Sequence, residues 1–217
     1  MALSYDRLIK NFEKKYREIS KIIGVSAVIS YKDGYLFTLE KEKYWEKRNN
    51  SFLIKFTAVG GRLEKNETFI DAMQRESDEE IGCKLNLIDS KKTVYINFNS
   101  RIKEITLAEK TKPIIIYEKI YKGLPGLPHT SGKWVLFCPV FFAMLKRKPK
   151  PSSEIPALLI LPKNLFALCK KQLKLRTILE RGGILIEAKS IPKTAFIQPM
   201  FTPEILLKSN IKIEDLL

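Results

Sequence analysis

Residues 61–83 of the chain read GRLEKNETFIDAMQRESDEEIGC, an acidic stretch that contains five glutamates. Glu76, Glu79 and Glu80 stand three and four positions apart, so on an α-helix their side chains project from one face. Three carboxylates that close repel one another unless a cation lies between them. Oxygen ligands of this kind suit Mg²⁺ or Mn²⁺, and proteins usually hold Mg²⁺ with few carboxylates plus water and substrate phosphates. The stretch therefore predicts a metal site that handles phosphates.

The same stretch predicts a loop followed by a helix. Thr68, with Asp71 three positions later, forms an N-terminal capping pair, and Gly82 stands where a helix would stop. These signals predict a helix over residues 69–81. A narrow stripe of apolar or small residues lies beside the carboxylates, so the helix can pack on a sheet and present its acids at an edge. The stripe consists of Ile70, Met73, Ser77 and Ile81.

The segment before the loop predicts a strand. Residues 51–59 read SFLIKFTAV, a run rich in apolar and β-forming residues. Gly60 and Gly61 follow, and glycines allow the backbone to turn and to approach a ligand closely. The result is a strand, loop and helix unit with an acidic face.

The unit resembles the box that defines the Nudix hydrolase family. That box reads Gly, five residues, Glu, seven residues, Arg-Glu, an apolar residue, any residue, Glu-Glu, any residue, Gly and an apolar residue. Its charged and glycine positions are all filled here, by Gly61, Glu67, Arg75, Glu76, Glu79, Glu80 and Gly82, with Cys83 at the last apolar position. Ser77 is the only departure. The resemblance implies an α/β protein with the Nudix fold, in which a mixed β-sheet lies between helices.

The resemblance also implies a role for each residue of the box. It implies that Glu76, Glu79 and Glu80 are metal ligands, with a backbone carbonyl of Gly61 or of its neighbour Gly60 as a further ligand. Arg75 is implied to pair with a glutamate of the box and to orient it, since such partners tune metal affinity. The residues expected in catalysis are Glu67, Arg75, Glu76 and Glu79.

The implied reaction is attack of water on a phosphorus of a nucleoside diphosphate that is linked to another moiety, as in a nucleotide sugar or a dinucleotide. A divalent metal, Mg²⁺ or Mn²⁺, would neutralise the phosphate oxygens and acidify the water while a glutamate takes the proton. In this family the proton acceptor is either a box glutamate or one from a later loop or strand. Glu104, Glu109 and Glu118 are candidates for the later position.

Four residues outside the carboxylate set are expected at the substrate. They are Arg62, Trp45, His129 and Glu118. Trp45 is a candidate for stacking on a nucleobase, although packing within the protein is the commoner role of such an aromatic side chain. His129, the only histidine, lies in the Gly/Pro-rich segment 122–132, which is typical of a loop beside an active site. It is either a contact to a phosphate or base or an exposed loop residue without a role.

The net charge of +15 widens the choice of partner. Such a field attracts polyphosphates and nucleic acids alike, so a pyrophosphohydrolase that acts on RNA 5′ ends is an alternative to a small nucleotide substrate. The lysines are dispersed and do not alternate with aromatics on one strand, which speaks against a dedicated RNA surface. A second alternative is a Nudix-fold nucleotide sensor or nucleic-acid-binding regulator that has kept the box without catalysing.

Around the box, the sequence predicts one Nudix domain over residues 1–217. It divides into an N-terminal helix (1–23), a core (24–162) and a C-terminal helix with an extension (163–217). Helical periodicity predicts that the first helix covers residues 5–23, and Asp-Gly at 33–34 predicts a hairpin between strands 25–30 and 35–39. Later strands are predicted at 85–88, 93–98, 112–121, 133–145 and 157–161.

Two further features belong to these later segments. Pro139 is expected to interrupt the pairing of its strand because proline has no N–H to donate. The C-terminal helix is predicted to begin after Asn164 and to end at Gly182, on the basis of apolar positions from Leu165 to Leu179. The extension beyond it packs on the core, forms a homodimer interface or lines the substrate pocket, and the sequence leaves these three open.

Composition predicts a cytoplasmic protein that does not associate with membranes. The N-terminal twenty residues are too charged for a secretory signal, and the longest apolar run is too short to span a bilayer. Cys83, Cys138 and Cys169 are odd in number and widely spaced. This spacing favours neither a disulfide framework nor a zinc site.

Overall fold

The computed structural model describes residues 2–123 and 132–217, so His129 and most of the segment 122–132 lie outside the described residues. In the described part there are five α-helices: α1 (Tyr5–Lys15), α2 (Phe69–Ile81), α3 (Lys163–Phe166), α4 (Leu175–Glu180) and α5 (Thr202–Ser209). Short 3₁₀ helices cover Glu42–Tyr44, Ala167–Lys170 and Ile213–Leu216. No helix within the described ranges is both long and apolar enough to cross a membrane.

The strands form one mixed sheet. They are β1 (Ser20–Tyr31), β2 (Gly34–Leu39), β3 (Glu46–Arg48), β4 (Ser51–Thr57), β5 (Val59–Arg62), β6 (Asn86–Ile88), β7 (Thr93–Ile96), β8 (Ile102–Ile105), β9 (Ile115–Lys122), β10 (Lys133–Met144), β11 (Ala157–Pro162), β12 (Leu173–Lys174), β13 (Ile184–Glu187) and β14 (Phe196–Pro199). The longest path through the sheet runs β12-β14-β4-β2-β1-β10-β9-β7-β8. A mixed α/β fold of this kind is what the resemblance to the Nudix family implied.

Strand β1 organises the centre of the sheet. On one edge it pairs in parallel with β10, and on the other it pairs antiparallel with β2 and with β5. The β1–β10 pairing stops after Ile23↔Phe137 and resumes in the same register at Ser26↔Val140. This gap surrounds Pro139, as the missing N–H of proline predicts.

The two faces of the sheet carry separate hydrophobic cores, because successive side chains of a strand point to opposite faces. Val135 and Phe137 of β10 pack in the core that includes α1 and α2. Trp134, Leu136 and Cys138 of the same strand pack in the core that includes α3, α4 and α5. The C-terminal extension therefore covers the face of the sheet that is opposite the box helix.

The N-terminal helix is shorter than the periodicity predicts. It ends at Lys15, and β1 begins at Ser20. The run that contains Ile22, Ile23 and Val25 satisfies a helical spacing, but β-branched side chains fit a pleated surface equally well. Pairing of Ser20 to Ile23 with β10 decides in favour of the strand.

The single helix predicted over residues 164–182 is wrong. The segment instead forms α3, a 3₁₀ helix, the short strand β12 and α4. Leu173 and Lys174 pair with Ile197 and Phe196 of β14, a contact distant in sequence that no local periodicity reveals. Leu168, which a continuous helix would bury, is exposed. Tertiary pairing thus overrides the helical spacing.

Candidate active site

Helix α2 begins and ends where the sequence predicts. The side chain of Thr68 accepts a hydrogen bond from the backbone N–H of Asp71, which caps the first turn. Gly82 adopts a left-handed conformation with φ of 63°, and its N–H donates to the carbonyl of Asp78, which closes the last turn. These two caps fix the helix so that its acidic face lies at the edge of β5.

Three acids of this face line one cavity, which we call the carboxylate cavity. Its volume is about 420 Å³, and its lining consists of Lys41, Glu76, Glu79, Glu80, Ser152, Ser153, Glu154 and Ile155. Glu76 is mostly buried, whereas the side chain of Glu79 is 60% exposed. The cavity therefore joins sheltered carboxylates to an opening at the surface.

Strand β5 brings its glycines against these acids. A Cβ at Gly61 would overlap the Glu76 carboxylate, well inside the 3.0 Å that real Cβ contacts respect. The N–H of Gly60 donates to Oε2 of Glu80 at 3.2 Å. Only residues without a side chain allow the strand to approach the acids this closely. The backbone of Gly60 and Gly61 thus lies directly against two of the acids that line the cavity.

Arg75 ties the acids of the box together. Its Nε and Nη2 donate to the two carboxylate oxygens of Glu67 at 2.9 and 3.1 Å, a bidentate arrangement that fixes both side chains. Its Nη1 donates to Glu76 at 2.7 Å and lies 3.4 Å from Oε2 of Glu79. Nη2 also donates to the carbonyl of Arg62 at 3.0 Å, which anchors the loop to the helix. A single guanidinium therefore orients three glutamates.

The acids differ in how readily they ionise. Burial raises the pKa of Glu80 to about 8, although the hydrogen bond from Gly60 opposes the shift. Burial also raises the pKa of Glu76, against the effect of Arg75, whereas the hydrogen bonds from Arg75 lower the pKa of Glu67. Buried carboxylates favour their charged form only when a cation or donor balances them. The deep wall of the cavity therefore suits a positive charge.

The donor set fits a hard divalent cation. Within residues 2–123 and 132–217 no three His, Cys, Asp or Glu side chains already stand grouped as a metal site. Instead, Glu76 accepts a hydrogen bond from Arg75, and Glu80 accepts one from the N–H of Gly60. Carboxylate oxygens with room for water are nevertheless the ligands that Mg²⁺ and Mn²⁺ prefer. Glu76, Glu79 and Glu80 are the residues of the cavity that would hold such a cation.

Sequence reasoning missed Glu154 and Lys41. The loop between β10 and β11 folds back on the box helix, because the N–H groups of Lys150 and Ser152 donate to the carbonyls of Ile81 and Glu80 at 2.9 and 3.1 Å. This caps the C-terminal end of α2 and places Glu154, which pairs with Lys41, in the carboxylate cavity. No spacing in the sequence signals this return, since it depends on the length and path of the loop.

A second cavity lies on the opposite face of the sheet, and we call it the sheet-face cavity. Its volume is about 190 Å³, and it is lined by Ile22, Gly24, Val25, Ser26, Thr57, Ala58, Gly60, Gly61, Arg62, Tyr117, Trp134, Leu136, Cys138, Phe201 and Thr202. The lining is mainly apolar and aromatic. Gly60 and Gly61 border this cavity and also contact the acids of the carboxylate cavity. The glycine strand therefore separates two cavities of opposite character.

Comparison with known proteins identifies the family. The family model of the NUDIX domain matches residues 21–151, more than half of the chain. The chain belongs to the Nudix family. Hydrolysis of a pyrophosphate linkage, the reaction typical of the family, is therefore the activity to test for this chain. The matched range contains the box, β1 to β10 and the loop up to Pro151, whereas the segment from residue 152 onward lies outside it.

Solved structures of Nudix proteins are similar to the chain at low identity. The MutT protein of Methanosarcina mazei Go1 is 19% identical, with 65% of this chain and 76% of that chain covered and a TM-score of 0.37. A Nudix family hydrolase of Clostridium perfringens is 20% identical, with coverages of 64% and 79% and a TM-score of 0.38. For the Nudix hydrolase of Nitrosomonas europaea the identity is 17%, the coverages are 67% and 59%, and the TM-score is 0.35. The chain thus spans less than two thirds of that last protein. No curated protein matches the chain.

The other sequence-predicted residues of this Nudix protein lie in different places. Arg62 borders the sheet-face cavity. Trp45 packs edge-on against Phe52 and donates its indole N–H to the carbonyl of Glu40 at 2.9 Å. Glu104 is exposed beside Lys92, and Glu109 accepts from the backbone N–H of Tyr5. Neither Trp45 nor these two glutamates line either cavity.

Glu118 lies on the other side of the sheet from the sheet-face cavity. It is the neighbour of Tyr117 on β9, so the two side chains point to opposite faces. Glu118 is 2% exposed, and its carboxylate accepts from Lys15 at 2.6 Å, from Tyr16 at 2.8 Å and from Tyr95. These contacts anchor the end of α1 to the sheet. The structure does not bring Glu118 together with the box.

Proposed function

We propose that this Nudix protein hydrolyses the diphosphate linkage of a nucleoside diphosphate derivative, with Mg²⁺ or Mn²⁺ as cofactor. One observation carries the proposal: Glu76, Glu79 and Glu80 line a single cavity, and Glu76 and Glu80 pack directly against the backbone of Gly61 and Gly60. Such a cavity suits a metal that bridges carboxylates and phosphates. The family match supports the reaction class, and the box supplies the residues.

Glu76, Glu79 and Glu80 would hold the metal, together with the backbone carbonyl of Gly61. When bound, a divalent metal neutralises phosphate oxygens and lowers the pKa of a bound water. The remaining work falls to the protein. The absence of a side chain at Gly61 lets Glu76 pack against β5, and the burial of Glu76 and Glu80 keeps bulk water away from their oxygens.

Arg75 acts as a positioning residue. Its bidentate contact with Glu67 fixes the guanidinium, and its remaining nitrogen holds Glu76 and approaches Glu79. Such outer contacts set the orientation of ligand carboxylates and with it the metal affinity. Glu67 contributes by holding Arg75, and its lowered pKa keeps it charged for that purpose.

The proton of the attacking water has two acceptors within the carboxylate cavity. Glu79 belongs to the box and is open to solvent, which suits a group that passes its proton on to water. Glu154 stands on the loop wall, is 72% exposed and pairs with Lys41. Glu104, Glu109 and Glu118 lie outside the cavity, so Glu79 and Glu154 are the residues we propose.

A substrate panel tests the proposal. The purified protein is incubated with Mg²⁺ or Mn²⁺ and with nucleotide sugars, dinucleotides, nucleoside triphosphates and RNA that carries a 5′-triphosphate, and phosphorylated products are separated by ion-exchange chromatography. We expect turnover of at least one nucleoside diphosphate derivative that stops when the metal is chelated. Turnover of RNA alone would move the function to RNA 5′ ends, and nucleotide binding without any turnover would support the sensor alternative.

A further inference from the structure

A third cavity lies on the C-terminal extension, and we call it the basic cavity. Its volume is about 420 Å³, within the roughly 300–1,000 Å³ of sites that hold small-molecule ligands. All of its described lining residues except Lys55 lie outside the family-matched range 21–151. The cavity therefore belongs to the extension and not to the box. It is lined by Lys55, Lys170, Lys171, Gln172, Gln198, Pro199, Met200, Glu204 and Lys208.

Pairing between distant segments builds the basic cavity. Gln198 of β14 pairs in parallel with Lys55 of β4, and β12, which follows Gln172, pairs antiparallel with β14. Glu204 and Lys208 stand four positions apart on α5, and their side chains form an ion pair. The lining thus comes from β4, from β14, from α5 and from the segment just before β12.

Two of the four lysines have acidic partners. Lys208 pairs with Glu204, the one carboxylate among the described lining residues. The side chain of Lys55 is 18% exposed, and its ammonium lies 2.6 Å from a carboxylate oxygen of Glu46 on β3. Each of these lysines is therefore neutralised within the protein.

The other two lysines carry charge that the described part of the chain does not neutralise. Lys170 donates to the uncharged amide oxygen of Asn210. Within residues 2–123 and 132–217, no Asp or Glu side chain forms an ion pair with Lys170 or Lys171. Like charges at neighbouring positions repel one another, and an anion between them removes that repulsion. The basic cavity therefore suits an anion for the same reason that the carboxylate cavity suits a cation.

A chain of hydrogen bonds orders the amides of the basic cavity. Nη1 of Arg48 donates to Oε1 of Gln172 at 2.9 Å, and Nε2 of Gln172 donates to Oε1 of Gln198 at 2.8 Å. This chain uses the amide oxygen of Gln198 and leaves its amide N–H groups to donate to a ligand. It also places a guanidinium behind the two amides. The cavity thus adds fixed N–H donors to its positive charge.

The lining also indicates which anion fits. None of the described lining residues is aromatic. Sites for single-stranded nucleic acids combine positive charge with aromatic rings on which the bases stack. The basic cavity offers charge and N–H donors without such rings. It therefore fits phosphate groups that carry no base, and its volume accommodates more than one of them.

We propose that the basic cavity binds a compact anion with two or more linked phosphate groups, such as a short inorganic polyphosphate, at a site separate from the carboxylate cavity. Lys170 and Lys171 supply the charge that attracts the anion, and the amide of Gln198 donates to it. The inference does not depend on the proposed hydrolysis, because binding at this site uses neither the metal nor the glutamates of the box.

Calorimetric titration in metal-free buffer with tripolyphosphate tests the proposal. Without metal, the acids of the carboxylate cavity repel phosphates, so binding there does not interfere. We expect tripolyphosphate to bind about tenfold more tightly than orthophosphate, and the double variant Lys170→Gln/Lys171→Gln to lose about tenfold in tripolyphosphate affinity. The matched control is Lys10→Gln/Lys14→Gln on α1, which removes the same charge from exposed positions outside all three cavities. It should change the affinity less than twofold.

Glu204→Gln provides a test in the opposite direction. It removes the carboxylate of the lining and frees Lys208, so tripolyphosphate affinity should rise about fivefold. The control is Glu180→Gln, which breaks a similar pair with Arg176 four positions away on α4, outside the three cavities, and should leave the affinity unchanged. Circular dichroism checks that each variant is folded.

Three results would overturn the proposal. They are equal losses in the two lysine double variants, an affinity that does not rise in Glu204→Gln, and tighter binding of a single-stranded RNA decamer than of tripolyphosphate. The last result would assign the basic cavity to a nucleic-acid strand. Because turnover is not a readout of these titrations, failure of the proposed hydrolysis and failure of this inference are distinguished.

Discussion

The two cavities on either side of Gly60 and Gly61 differ in origin as well as in chemistry. The two acids that contact the glycines, Glu76 and Glu80, come from one helix, fifteen to twenty residues further along the chain. The sheet-face cavity is assembled from β1, β9, β10 and the start of α5, which are distant in sequence. The first is polar and holds charge, and the second is apolar and aromatic. The two cavities are therefore built by different parts of the chain.

This difference has a consequence for mutagenesis. The box and its glycines, to which we assign the proposed reaction on diphosphates, lie within the family-matched range. Phe201 and Thr202 lie outside that range and contact only the sheet-face cavity. We therefore expect a change at Phe201 or Thr202 to alter the sheet-face cavity while the carboxylates stay in place. Substitutions near the carboxylate cavity should therefore change activity or metal requirement, whereas a substitution away from both cavities should change mainly stability.

Glu79→Gln should have the largest effect, because it removes a carboxylate that serves as a metal ligand or proton acceptor. We expect kcat to fall by about 10³-fold, within the range of acid–base contributions, with the thermal unfolding midpoint unchanged. Steady-state kinetics on the substrate found in the panel measures it. The control is Asp78→Asn, an exposed acid of the same helix outside the carboxylate cavity, and equal losses in both variants would contradict the assignment.

Gly61→Ala should come next. The new methyl group would overlap the Glu76 carboxylate and displace it, and a displacement of about 1 Å in a catalytic group can cost about 10²-fold in rate. We also expect a loss of about 1–3 kcal/mol in the free energy of unfolding from overpacking. Kinetics and urea unfolding measure the two effects. Gly132→Ala is the matched control, since a Cβ there meets no described atom of residues 2–123 and 132–217 within 4 Å.

Arg75→Lys should have a smaller effect, since it keeps the charge but loses the bidentate contact with Glu67. We expect the Mg²⁺ concentration that gives half-maximal activity to rise about 10-fold to 100-fold, as for other residues that orient metal ligands. A metal titration of the activity measures this shift. An unchanged metal requirement would show that Arg75 does not position the ligand carboxylates.

Glu118→Gln should have the smallest effect on activity and a clear one on stability. The buried carboxylate accepts from Lys15, Tyr16 and Tyr95 on the face opposite the sheet-face cavity. We expect the free energy of unfolding to fall by about 1–3 kcal/mol and kcat/KM to change less than about twofold. Glu13→Gln, an exposed acid of α1, is the stability control. A fall in kcat/KM well beyond twofold in the folded variant would make Glu118 a candidate proton acceptor again.

The box helix could be predicted because its determinants are local. Thr68, Asp71 and Gly82 act on the helix to which they belong, and the spacing of the three glutamates fixes their common face without knowledge of the rest of the fold. The hairpin and the strands predicted after the box could be predicted in the same way, from the alternation of apolar and polar residues and from turn residues. Their ends shifted by a few residues, because pairing partners set strand ends.

The remainder could not be predicted, because it depends on contacts between distant segments. Glu154 reaches the carboxylate cavity only because Lys150 and Ser152 cap the end of α2. The predicted C-terminal helix failed because Leu173 pairs with β14. Trp134 gave the signal of a core strand residue, and nothing in the sequence around it indicated that its N–H would have no partner among the described residues. Contacts between residues that are distant in sequence can be recognised only once the three-dimensional positions of both segments are known.

A crystal structure with Mn²⁺ and a non-hydrolysable nucleoside diphosphate analogue tests the account most directly. Anomalous scattering locates the metal, and the electron density locates the phosphates. We predict a manganese peak within coordination distance of Glu76, Glu79 and Glu80, with the phosphates of the analogue in the carboxylate cavity. A manganese site away from these three carboxylates, or phosphates outside the carboxylate cavity, would contradict the role that we propose for this cavity.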